Sequence, residues 1–172
     1  HSHVLGPDKR GLSAARLVAR RLVMKAGTRL RRAALRTGWI GLFVKAEGGA
    51  GKWKAGRALP RVMDSVSLLA ALDGLWAEMV AAFPHRRLLQ VGVVLAELTD
   101  ADAVQPDLFD ATGLIDAGTD ARRLALSRAM DKVNARWGRD AVTLGHDAAG
   151  ATRSSGPRIA FTRIPELMEF HE

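Results

Sequence analysis

The side chains with the sharpest chemical meaning in this sequence are Gln105, Leu108 and Phe109, within Gln105-Pro106-Asp107-Leu108-Phe109. A glutamine amide can hydrogen-bond at the rim of a pocket while an adjacent Leu and Phe fill an apolar cleft, so the spacing reads as a peptide anchor for another protein. Folding back of Leu108 and Phe109 onto their own domain is the ordinary alternative. Other constellations carry less. Gly48-Gly49-Ala50-Gly51-Lys52 imitates a phosphate-binding loop, yet Ala46 stands where the first Gly is required and Trp53 replaces the Ser or Thr that would hold magnesium. Glycines at a tight turn between two strands explain it. His1, His3, His85, His146 and His171 are scattered, without the short helical spacing of a zinc site. No carboxylate pair ends a strong hydrophobic strand with partners that would hold two magnesium ions. Trp39, Trp53, Trp76 and Trp137 read mostly as core, with Trp39 and Trp53 beside Lys and Gly as the two able to touch a ligand.

Charge is divided unevenly along the chain. Residues 1–97 hold 17 basic and 6 acidic side chains, a net +11, whereas residues 98–172 hold 9 and 12, a net −3. Between Lys9 and Lys45 stand eleven Lys or Arg residues and no Asp or Glu, so a polyanion is attracted to the first half and released by salt. A solvated helix face is the plain alternative, although such faces usually mix their signs.

The elements that must position these groups follow from periodicity. Leu12, Ala15, Ala19, Leu22, Val23, Ala26, Leu30 and Ala34 recur at spacings of three and four, which predicts a basic amphipathic helix over 12–35, stopped by Gly38. Residues 39–45 alternate as a strand, and a glycine loop leads into a second basic strand over 52–59, closed by Pro60. Asp64 and Ser65 cap a helix carrying Leu68, Leu69, Leu72, Leu75, Trp76, Met79, Val80 and Phe83, ended by Pro84. Residues 88–98 read as a buried strand, with Leu89, Val91, Val93 and Leu95 on one face. The order is β-α-β-β-α-β: an α+β sandwich with a four-stranded sheet and two helices on one face. Beyond it lie an acidic segment broken by Pro106, Gly113 and Gly118, a helix capped by Asp120 with Leu124, Ala129, Met130, Val133 and Trp137 on its stripe, and a short strand over 141–144.

With 48% hydrophobic residues in 172, the chain can build one full core plus an extension. It has no cysteine for a disulfide or thiolate site, and no apolar run approaches the roughly 20 residues of a membrane span. The expectation is a soluble, cytoplasmic protein without a membrane partner. It opens on His1 without an initiator Met while 2–5 already reads as a strand, so the chain is expected to begin inside a longer protein, with a tag remnant at residues 1–3 as the alternative.

Four blocks together resemble the C-terminal region of bacterial Y-family translesion DNA polymerases, in particular the SOS-mutagenesis catalytic subunit branch. His1-Ser2-His3-Val4-Leu5 is similar to the first strand of the little finger domain, and Ala26-Gly27-Thr28-Arg29-Leu30-Arg31 to the end of the helix after it. Val91-Gly92-Val93-Val94-Leu95 with Gln105-Pro106-Asp107-Leu108-Phe109-Asp110 resembles the last strand and the bacterial sliding-clamp-binding motif, Pro106 departing from the Leu usual there. Met130-Asp131-Lys132-Val133-Asn134-Ala135-Arg136-Trp137-Gly138-Arg139 resembles the extension beyond it.

The resemblance implies a little finger over 1–98, an acidic linker with the clamp motif over 99–118, and a C-terminal extension over 119–172. It implies a non-catalytic part of an error-prone polymerase that grips primer-template DNA and tethers to the sliding clamp, with a regulatory mutagenesis subunit as a further partner. Nucleotidyl transfer and its magnesium belong to the palm, fingers and thumb, so no cofactor is expected here. With Ile40, Leu42, Val44, Val91, Val93 and Leu95 toward the helices, the other sheet face presents Gly41, Lys45, Gly92 and Ala96, where backbone N–H groups could approach phosphates. His3, Lys45, Lys52, Lys54, Arg57 and Arg61 are the expected basic rim, and Gln105, Leu108 and Phe109 the clamp anchor. A basic α/β RNA-binding module is the alternative, poor in the aromatic residues that stack on bases. A third reading is an adaptor whose basic helix meets an acidic protein.

Overall fold

The computed structural model describes residues 1–84, 86–101, 117–138 and 140–145. Four strands, β1 (Ser2–Val4), β2 (Leu35–Ala46), β3 (Lys52–Val62) and β4 (Leu88–Asp100), form one antiparallel sheet in the order β1-β4-β2-β3. Helices α1 (Leu12–Arg32) and α2 (Ser65–Ala82) pack on one face of it, and α3 (Ala117–Trp137) packs on that helix layer. The expected α+β sandwich is observed, with β2 and β4 as its paired centre.

The core lies between the sheet and the first two helices. Ile40, Leu42 and Val44 from β2 and Val91 and Val93 from β4 meet Ala15, Ala19, Val23 and Leu30 of α1 and Leu68, Leu72, Leu75 and Met79 of α2. Burying each of the larger of these side chains contributes about 1.5–3 kcal/mol before ordering entropy is subtracted. Asp64 starts α2, its carboxylate accepting the Ser67 N–H at 2.8 Å. That helix reaches a mean hydropathy of 1.4 over 18 residues, enough by length and composition to cross a membrane. Leu68, Leu69, Leu72, Leu75, Trp76 and Met79 spend that hydropathy inside the core.

Several local expectations are corrected. The first helix ends at Arg32, where the Ala33 N–H bonds back to Arg29 O and Leu30 O and Ala34 turns the chain with φ of 50°. Gly38 therefore terminates nothing and sits buried within β2, beside the Glu97 side chain. Pro60 does not close β3, which continues to Val62; on an edge strand the missing proline N–H costs no inner ladder bond. Asp120 stands inside the first turn of α3 instead of capping it, and residues 141–144 form turns and bends instead of a strand. Trp137 is not core: it is 71% exposed, with the Arg136 guanidinium 5.3 Å from its ring centroid.

Candidate nucleic-acid interface

Strand parity sorts the side chains of the sheet. Ile40, Leu42 and Val44 pair with Leu95, Val93 and Val91 on the helix side, which leaves Trp39, Gly41, Phe43 and Lys45 opposite Ala96, Val94, Gly92 and Gln90 on the other face. Across the second ladder, Lys45 stands directly opposite Lys52, and Phe43 opposite Lys54. Like charges placed directly across a strand pair repel. Lys45, Lys52 and Lys54 form no ion pair among the described residues, and no described helix packs on this face.

The aromatic residues finish the surface. The Trp39 indole lies over Gly41 and Gly56, and the Phe43 ring over Gly92, so a methyl group at any of these glycines would overlap a ring. This corrects the expectation of bare backbone at Gly41 and Gly92. Both strands are internal, with ladders on either side, and the rings cover the peptide planes. What the face offers an anion is lysine side chains around an aromatic floor. Exposed Val94 and Val4 extend that floor toward β1.

The six expected basic residues are not one cluster. Lys45, Lys52 and Lys54 converge on the open face. Arg57 pairs with Ile40 in the ladder and so points to the helix side, where its guanidinium bonds the Glu78 carboxylate of α2 and rests over Gly74. His3 pairs with Val91, also on the helix side, half-buried. Burial and the charges of Lys9 and Arg21 hold its imidazole below the ordinary histidine value. Arg61 is exposed with φ of 49°, in a bulge where β3 carries extra residues opposite the turn from Thr37 to Trp39. Trp53, paired with Val44, packs toward the core, which leaves Trp39 as the tryptophan on the open face. Phe43 was missed as a surface aromatic, although its parity with Trp39 and Lys45 was readable. Gln105, Leu108 and Phe109 lie outside the described residues.

Among the described residues, no three His, Asp or Glu side chains stand together as a metal site requires. The fold and its exposed cationic sheet define an α+β domain of the little-finger type. Residues 1–108 match the model of the impB/mucB/samB family C-terminal domain, and the chain belongs to that family, as its resemblance to the Y-family little finger implied. Two solved structures are similar to it. An insertion ternary complex of Dbh DNA polymerase has 12% identity and a TM-score of 0.49, over 58% of this chain and 28% of that one. A complex of the beta-clamp processivity factor and the little finger domain of PolIV has 19% identity and a TM-score of 0.45, over 63% of this chain and 96% of that one. A search of curated proteins finds no match.

Proposed function

We propose that this chain is the DNA-gripping and clamp-tethering part of a translesion DNA polymerase, and that its open sheet face lies against duplex phosphates. The observation that carries the reading is the opposition of Lys45 and Lys52 with Lys54 beside them, on a face that no described helix covers. Three lysines on neighbouring ladder positions, none with a carboxylate partner among the described residues, are relieved of repulsion when an anionic polymer brings its charge to that face. Contacts of this kind fix position without reading bases, which suits an enzyme that tolerates damaged templates. Family membership supports the same reading and leaves the RNA-binding alternative without support.

The clamp half rests on Gln105, Leu108 and Phe109, whose types and spacing suit a pocket-filling peptide. Holding duplex and clamp together would raise the effective affinity for each. Nucleotidyl transfer, with its magnesium, is assigned on this reading to the other domains of the parent polymerase.

The deciding measurement is duplex affinity against salt for the protein with Lys45→Gln, Lys52→Gln and Lys54→Gln. Loss of three phosphate contacts flattens the slope of log K against log salt by roughly 2–3. An unchanged slope removes the sheet face as the contact surface.

A further inference from the structure

A second cationic feature lies on the far side of the domain from the open sheet face. A groove of about 710 Å³ runs along the outer surface of α1, walled on its other side by α3 and residues 140–145. Its far wall is tied in place: Arg20 donates to Leu144 O at 3.1 Å, Arg21 pairs with Asp140 at 2.7 Å, and Asn134 bonds both the N–H and the carbonyl of Val142 at 2.9 and 3.0 Å. The two carboxylates in the lining, Asp131 and Asp140, are held by Arg31 and Arg21.

What remains is a row of cations. Lys25, Arg29 and Arg32 line the groove, are exposed, and form no ion pair among the described residues. Their spacing of four and three residues puts them on one face of α1, roughly 4.5–6 Å apart along its axis. His3, also in the lining, feels the local positive field, since Lys9 and Arg21 act with burial to disfavour its protonated form.

We propose that this groove is a separate site for single-stranded nucleic acid, with Lys25, Arg29 and Arg32 holding successive phosphates. A regular row of cations on a straight helix suits a polymer whose anions are also regular. The site does not depend on the sheet face holding a duplex.

The test uses the full chain with Lys25→Gln, Arg29→Gln and Arg32→Gln, a labelled oligothymidylate, a duplex of equal length and polyglutamate as competitor. All three substitutions are at exposed positions, and a thermal melt checks that folding is intact. Oligothymidylate affinity should fall at least tenfold and its salt slope by about 2, with duplex binding changed less than twofold. The Lys45→Gln, Lys52→Gln, Lys54→Gln protein should keep its oligothymidylate affinity. Unchanged binding in the helix variant means the row is merely solvated and overturns the proposal. Loss of binding in the sheet variant, or displacement by polyglutamate as effective as by oligothymidylate, overturns it as well, the latter in favour of an acidic protein.

Discussion

Arg31 and Asp131, 100 residues apart in sequence, meet in a two-pronged ion pair with Nε–Oδ2 at 2.6 Å and Nη2–Oδ1 at 2.9 Å. Arg31 is nearly sealed from solvent, its side chain 4% exposed, and its remaining N–H groups reach Met63 O and the Ser65 hydroxyl at 2.9 and 3.1 Å. The Thr28 hydroxyl donates to Asp131 at 2.8 Å. One guanidinium therefore joins the end of α1, the start of α2 and the middle of α3. Ser127 adds a second tie, its hydroxyl accepting the Ser65 N–H at 2.9 Å.

Removing the carboxylate leaves a buried guanidinium without its counter-charge. Asp131→Asn should destabilise the protein by roughly 2–3 kcal/mol, read from urea unfolding followed by circular dichroism. Its side chain keeps 23% of its exposure, which places the cost below that of a fully buried pair. A loss under about 0.5 kcal/mol would mean that α3 is not held through this contact.

The same pair has a pH signature. Burial pushes the Asp131 carboxyl up, but hydrogen bonds from Arg31 and Thr28, with the charges of Arg31 and Arg32, bring it below its ordinary value of 3.8. A depressed folded value means the stabilisation is complete above that ordinary value and is lost as pH falls through the folded one. Stability should be flat in this respect near neutrality and decline in acid below about pH 4. In Asp131→Asn that component of the acid slope should be absent, as parallel urea titrations would show.

Ala34 turns the chain out of α1 in a left-handed conformation, φ 50°, which disfavours a residue with a Cβ. Ala34→Gly should raise stability by about 0.5–1 kcal/mol, the relief of strain exceeding the added chain entropy. An increased urea midpoint at constant m-value is the expected record.

The Phe43 ring over Gly92 makes a coupled pair. Gly92→Ala should lift the ring and cost about 1–2 kcal/mol by overpacking. In the presence of Phe43→Ala the same change should cost much less, and a double-mutant cycle with no coupling would contradict the stacking.

Parity on β3 predicts a difference between neighbouring cations. Lys54→Gln should weaken duplex binding and flatten its salt slope by about 1, whereas Arg57→Gln should leave the slope unchanged. Arg57 is tied to Glu78 on the helix side, so its loss is a matter for stability alone.

For the clamp anchor, Leu108→Ala with Phe109→Ala should abolish capture by a bacterial sliding clamp in a pull-down while duplex affinity holds. Retained capture would remove that half of the proposed function.

Much of the fold was legible because its signals are local. Ile40, Leu42 and Val44 alternate with Trp39, Gly41, Phe43 and Lys45, and Val91, Val93 and Leu95 do the same, so both sheet faces could be read from a period of two. Grouping Arg57 with Lys52 and Lys54 ignored that period, since an odd offset moves a side chain to the other face. For His3 no such count was possible: β1 is three residues long, and only its pairing with β4 settles which way His3 points. The covering of Gly92 by Phe43 and the meeting of Arg31 with Asp131 are cross-strand and long-range facts that no window of sequence contains.

The strand order also sets a timetable for the nascent chain. Ser2 pairs with Gly92, and the strand that holds it is the last of the four to leave the ribosome. Residues 2–4 must therefore wait, unpaired, until some ninety residues more have emerged. Until then their neighbour α1, dense in arginine, lacks the strand it rests on most, and a stalled or truncated product ending before Leu88 would expose the apolar underside of α1 to the cell, α2 still lying on β2 and β3.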